Sequence, residues 1–270
     1  GVDDKKMSKG GLGALFCFVP LFWAKVMAAA LLVLACAGLS CDIEASLHDR
    51  GYWMEAAFWH QRWEENRIGF HQADFNRWLQ SWWSAQQQGE PVLVPLCGKS
   101  RDMLWLSGQG HPVDGFELSS VAINSFFSEN KLSDTVSAEG PYQCHQHDSL
   151  RIYEGDFFAA PELGRRYRLA YDRAALIALP TAMRRQYAEL MSRLIEAGGQ
   201  ILLVTLEYQP EQQRQPPFSV GEMEVRTLFE RHFQVEVLGR AAELDHPRVL
   251  SGQLSYFDEV AYRLVRRPEA

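Results

Sequence analysis

The stretch that most constrains this chain is Pro91-Val92-Leu93-Val94-Pro95-Leu96-Cys97-Gly98-Lys99-Ser100-Arg101-Asp102. A short apolar run bounded by prolines reads as a buried strand. Pro95 stops it, Gly98 supplies a permissive backbone, and Ser100 is suited to cap a following helix. A strand, a tight loop and a helix N-terminus present backbone N–H groups to a polar or negative ligand. The next apolar run, Val113-Asp114-Gly115-Phe116-Glu117, ends on an acid about 20 residues further on, where a doubly wound nucleotide fold places the carboxylate that takes ribose hydroxyls.

Two better-known loops fit poorly here, the second leaving an NAD-dependent oxidoreductase as the alternative enzyme on this fold. Gly98-Lys99-Ser100 resembles the end of a P-loop, but that motif needs a glycine where Leu93 stands inside the strand. The segment also lacks G-x-G-x-x-G, so the usual dinucleotide fingerprint is missing.

The remaining pattern is strand and helix in alternation. Met54 to Arg67 and Asp74 to Gln87 read as aromatic-striped helices, the first carrying Phe58, Trp59 and Trp63, the second Phe75, Trp78 and Trp82. After the loop, a helix runs from Ser100 to Gly108, and one capped by Ser119 or Ser120 runs to Asn130. Ser133 to Ser149 is polar and reads as irregular. Strands follow at Leu150 to Tyr153 and Tyr167 to Tyr171, then a long helix from Thr181 to Ala197 ended by Gly198-Gly199. Gln200 to Tyr208 is a strand, Val220 to Arg231 a helix, and Phe233 to Leu238 with Leu254 to Val265 an antiparallel edge pair. The sum is an α/β fold: a doubly wound, mostly parallel seven-stranded sheet with helices on both faces. Its ligand belongs beyond the strand C-termini, where Pro95 to Ser100, Glu117, Asp156 and Asp172-Arg173 all fall.

Composition narrows the class. A formal charge of −7 argues against a nucleic-acid surface. The five cysteines are scattered without a C-x-x-C pair, which suits reduced thiols and a cytoplasmic protein. Cys97 reads as a small residue fitted to a tight turn. Cys144-His145-Gln146-His147-Asp148 lacks a distant partner set and reads as an exposed loop, not a metal site. Residues 1–53 differ from the rest. From Gly10 to Cys41 the sole charge is Lys25, and the apolar runs on either side are short for a membrane helix. They read as an N-terminal extension of three open origins: non-native or dispensable sequence upstream of the start, a signal or membrane segment, or a packed element. Residues 54–270 read as the catalytic domain, with 54–88 as its N-terminal cover.

From Met54 onward the motifs resemble one family. Trp59-His60-Gln61-Arg62-Trp63, Gly69-Phe70-His71, Pro95-Leu96-Cys97-Gly98-Lys99-Ser100, Gly115-Phe116-Glu117-Leu118-Ser119, Asp172-Arg173-Ala174-Ala175-Leu176 and Gln215-Pro216-Pro217-Phe218 are similar to the thiopurine S-methyltransferases, in particular the bacterial branch. The resemblance implies a class I, Rossmann-like methyltransferase that uses S-adenosyl-L-methionine and releases S-adenosyl-L-homocysteine. It implies that Trp63 and Phe70 close a cover over the cofactor, that Leu96 lies along its methionine part, and that Glu117 takes the ribose hydroxyls. Gly155 and Asp156 flank the adenine, and Arg173 sits between the methionine end and the acceptor as the catalytic residue. Glu236 stands where mammalian members carry a second arginine near the acceptor. The implied acceptors are aromatic and heterocyclic thiols, and in bacterial members selenium and tellurium compounds as well. The implied protein is a monomer that needs a small-molecule thiol and no metal, nucleic acid or membrane partner for residues 54–270.

Overall fold

The computed structural model describes residues 57–65, 74–83, 88–209 and 215–268. The chain divides into two compact units, Gly1–Glu55 and Ala56–Ala270, and every described residue belongs to the second. A first helix, α1, covers residues 57–64. The order thereafter is α2 (Arg77–Trp82), β1 (Val92–Val94), α3 (Asp102–Gly108), β2 (Val113–Glu117), α4 (Ser120–Glu129), β3 (Thr135–Glu139), β4 (Tyr142–His147) and β5 (Leu150–Glu154). A 3-10 helix (Phe157–Leu163) leads to β6 (Tyr167–Arg173), α5 (Ala175–Ala178), α6 (Thr181–Leu194), β7 (Ile195–Glu207), α7 (Glu222–Phe229), β8 (Phe233–Ala242), α8 (Pro247–Leu250) and β9 (Asp258–Arg266).

The strands form one sheet in the order β3-β4-β5-β2-β1-β6-β7-β9-β8. The central five, β5 to β7, are parallel, with Val92 opposite Val113 and Leu169. Buried on both faces, β1 and residues 201–204 of β7 are unbroken apolar runs, while β2, β5 and β6 carry charged residues among their apolar ones. Leu93 points into one layer with Phe116, Tyr187, Met191 and Leu203. Val92 and Val94 point into the other with Met103, Leu106, Ile123 and Phe126. Each core thus lies between the sheet and its own helices, as the doubly wound reading requires. Chain order reverses at β1, whose neighbours are β2 and β6, so the crevice above the C-terminal ends of these strands is the switch point.

Among the described residues the sheet has nine strands, not seven. The expected seven are present, and the polar segment read as irregular forms the hairpin β3–β4 on the β5 edge. Its signal in the sequence is faint because β3 is almost wholly exposed, leaving Tyr142 and Cys144 of β4 as the apolar pair that docks. The last two strands are antiparallel as read, but β9 is inserted between β7 and β8. Helix α6 stops at Leu194, three residues short of the reading. Ile195 already pairs with Tyr167, and Gly198-Gly199 fall in a register shift of β7 instead of capping a helix. Helix α2 is shorter than read, ending at Trp82 with Trp83 extended, and Asn76 caps it by accepting from the Trp78 and Leu79 N–H groups.

At the end of β6, Asp172 turns away from Arg173 because successive strand residues face opposite sides. Its carboxylate accepts from Tyr187 Oη at 2.6 Å and from the Ala175 and Leu176 N–H groups at 3.1 and 3.3 Å, anchoring α5 across Ala174 at φ +86°. Burial raises Asp172 from 3.8 to about 6, against the pull of those donors. Between about pH 4 and 6 the folded chain therefore holds a proton that the unfolded chain has released. The cost of this group grows as pH rises through that window and is constant above it. Tyr187→Phe removes a donor from the ionised form and should cost about 1–3 kcal/mol of stability. The deficit, read from urea midpoints, is expected to be larger at pH 7.5 than at pH 5; a pH-independent deficit would mean that the phenol does not serve the carboxylate.

Candidate active site

The loop after β1 is the floor of the site. Two left-handed residues shape it: Leu96 at φ +46° and Gly98 at φ +52°. The Cys97 N–H donates to the Phe116 carbonyl at 2.9 Å, tying the loop to β2, and the Ser100 N–H donates to the Cys97 carbonyl at 3.1 Å. Cys97 itself is buried against Gly115 and Met103. Burial, with Glu117 nearby, pushes its thiol well above the ordinary range, so it is a packing residue and no nucleophile.

Glu117 ends β2 and is buried against this loop. Its Oε2 accepts the Gly98 N–H at 2.8 Å and its Oε1 accepts the Ser119 N–H at 2.8 Å. Burial lifts its carboxyl from 4.5 to about 6, while the N–H groups of Ser119, Gly98 and Leu118 favour the ionised form. A carboxylate has about four acceptor positions, and the hydrogen bonds from Gly98 and Ser119 leave capacity for ligand hydroxyls. Trp63 of α1 closes the loop from above. A methyl group built on Gly98 would lie 3.0 Å from Trp63 Cζ2, so the ring is seated on the glycine.

Next to Glu117, the Gly155 N–H donates to the Glu117 carbonyl at 2.9 Å. Gly155 has φ +152°, and a Cβ there would lie 2.7 Å from the Tyr142 ring, so only glycine fits. Asp156 is beside it. Its Oδ1 accepts the Phe158 N–H at 2.9 Å as the cap of the 3-10 helix, and its carbonyl accepts the Tyr142 hydroxyl at 2.6 Å. Arg173 ends β6 on the α3 side of the sheet. There it faces Asp102, with Nη1 3.9 Å from Oδ2. Leu96, Glu117, Gly155, Trp63 and Arg173 therefore all lie at the C-terminal edge of the parallel strands or upon it. Phe70 lies outside the described residues. Glu236 is exposed on the outermost strand, 3.1 Å from Arg263, and does not join this group.

Residues that sequence reading missed are Asp102 and Tyr171, which bond to each other at 2.9 Å beneath Arg173. The His-x-His segment is split by the strand: Cys144 enters the core, while His145 sits between Asp134 at 2.7 Å and Glu154 at 3.0 Å. Among the described residues, no group of three or more His, Cys, Asp or Glu is arranged to hold a metal ion. Nor is any helix among them long and apolar enough to cross a membrane.

A parallel sheet reversed at β1, a bent loop after it and a buried acid ending the next strand define a class I, S-adenosylmethionine-dependent methyltransferase. The fold is shared with an S-adenosylmethionine-dependent methyltransferase from Anabaena variabilis, at a TM-score of 0.52 and 14% identity over 78% of this chain and 95% of that one. Residues 54–267 match the family described as thiopurine S-methyltransferase (TPMT), and the chain belongs to that family. A thiopurine S-methyltransferase of Shewanella putrefaciens is 41% identical over 218 residues, spanning 79% of this chain and 100% of the relative. One of Vibrio vulnificus is 43% identical over 211 residues, spanning 77% and 96%.

Proposed function

We propose that this enzyme methylates the sulfur of aromatic and heterocyclic thiols, thiopurines among them, and that selenium and tellurium compounds are further acceptors. The observation that carries the reading is Glu117, a buried carboxylate with acceptor capacity left, held against the loop on which Trp63 rests. Glu117 holds the ribose hydroxyls, Leu96 lies along the methionine part, and Gly155 with Asp156 borders the adenine. Trp63 and Phe70 close the cover, and the aromatic face of Trp63 suits a cationic ligand. Residues 54–270 are the catalytic unit, acting as a cytoplasmic monomer, and 1–53 are an extension to it. The relatives' length supports that division, since the Shewanella protein is matched from end to end by 79% of this chain.

S-adenosylmethionine, when bound, supplies a methyl group already activated by its sulfonium. The protein then has to present the acceptor sulfur in line behind that methyl and keep water out, so positioning carries much of the rate. Arg173 stays protonated, since a guanidinium does not release its proton in proteins, and so acts on the acceptor as a fixed positive charge. Facing the sulfur, it favours the thiolate, and heterocyclic thiols of low pKa need no further base. Trp63 of α1, seated on Gly98, shields this side of the loop from water.

The test is a methyl-transfer assay on a thiol panel, beside melting shifts with S-adenosylhomocysteine and NAD. Turnover of aryl and heterocyclic thiols, with stabilisation by S-adenosylhomocysteine and none by NAD, is expected. Transfer to oxygen or nitrogen acceptors with no thiol turned over would replace the acceptor assignment while leaving the cofactor in place.

A further inference from the structure

Asp102 is the most connected side chain at the site, and methyl transfer by the residues already named leaves it without a task. It opens α3 just past the loop and is 2% exposed. Its Oδ1 accepts the Asn76 N–H at 2.8 Å, and its Oδ2 accepts the Tyr171 hydroxyl at 2.9 Å. Nη1 of Arg173, whose side chain is 13% exposed, stands 3.9 Å from the same Oδ2. Two separate segments meet on this carboxylate. Asn76 is the cap of α2 in the cover, and Tyr171 and Arg173 share one face of β6 because they are two residues apart. The first turn of α3 stabilises the negative charge. Asp102 gives this planar, permanently charged fork an anionic neighbour on the α3 side.

We propose that Asp102 is the positioning residue for Arg173. It touches neither cofactor nor acceptor; it acts through Arg173. The Asn76 N–H and the Tyr171 hydroxyl hold the carboxylate beneath Arg173, and its charge draws the guanidinium into place. The inference rests on the role of Arg173 given under Proposed function.

The experiment is a double-mutant cycle on the full chain with thiophenol as acceptor: wild type, Asp102→Asn, Arg173→Ala and the double variant. Asp102→Asn keeps an acceptor oxygen and the size of the side chain but removes the charge that faces Arg173. It is expected to lower kcat/KM for the thiol by about 10- to 100-fold, with S-adenosylhomocysteine affinity changed less than about threefold. In the Arg173→Ala background the same substitution is expected to cost less than about threefold, because neighbours acting through one another are not additive. An equal loss in both backgrounds, or no loss in either, overturns the inference. Should Arg173→Ala alone be as active as wild type, the role of Arg173 falls first. Should that variant be impaired while the two losses multiply, the inference on Asp102 alone fails. Tyr171→Phe is the second route if Asp102→Asn does not fold. It leaves both charges and removes the phenol that holds Oδ2, and its loss of turnover should again vanish without Arg173; a loss that persists there assigns Tyr171 and Asp102 to the scaffold and overturns the inference.

Discussion

Glu117→Ala is expected to weaken S-adenosylhomocysteine binding by about a thousandfold. Two hydroxyl bonds to a charged acceptor contribute about 1.5–3 kcal/mol each, and each factor of ten is 1.4 kcal/mol. The substitution also strands the Gly98 and Ser119 N–H groups, which the carboxylate satisfies at 2.8 Å in the native loop. The pH dependence is a sharper signature. Glu117 titrates at about 6 in the folded protein, its carboxyl raised by burial. Only the ionised form accepts from two backbone N–H groups and two hydroxyls together, so bound cofactor favours ionisation and brings that value back down. Affinity is therefore expected to be flat above about pH 6 and to fall as pH drops below it, by up to tenfold per unit. Glu117→Gln should bind more weakly than wild type at pH 7.5 and show no such fall. Calorimetric titration with S-adenosylhomocysteine between pH 5 and 8 measures both, and an unchanged Kd in the alanine variant would remove Glu117 from the site.

Glu117 was legible in the sequence because its place is topological: the end of the second parallel strand is fixed by chain order, and its neighbours Gly98 and Ser119 are close by in sequence. Strand β1 and residues 201–204 of β7 were legible for a related reason, since burial on both faces makes each an unbroken apolar run. The hairpin β3–β4 was not, because an exposed edge strand such as Thr135–Glu139 carries no apolar alternation. Asp102 was invisible as a hub. Its donors come from 26 residues before it and 69 after it, and in sequence it is simply an acid in the first turn of a helix. Its pairing with Arg173 was hidden by adjacency. Asp172 is next to Arg173 in the chain, and for that reason faces the other side of the sheet, where it holds α5. Local patterns reach whatever is set by strand order; they miss what is set by segments that meet only in three dimensions.

One such meeting is between the cover and the loop, and Gly98→Ala should expose it. Gly98 has φ +52°, which costs an alanine about 1–2 kcal/mol. The new methyl would also stand 3.0 Å from Trp63 Cζ2, and crowding of this kind in a packed interior costs about 1–3 kcal/mol. Together these are expected to lower the melting temperature by about 5–15 °C in a domain of this size. Cofactor affinity should fall more than tenfold, since the Gly98 N–H that fixes Glu117 moves with the loop. The two costs separate in a cycle with Trp63→Ala. Removing the indole relieves the crowding and leaves the backbone strain, so the double variant is expected to be more stable than the sum of the single losses by about 1–3 kcal/mol. Denaturant midpoints of the four proteins give that coupling directly. Strict additivity would mean that Trp63 does not rest on Gly98, and a cover that does not rest there could not close over a cofactor held by Glu117.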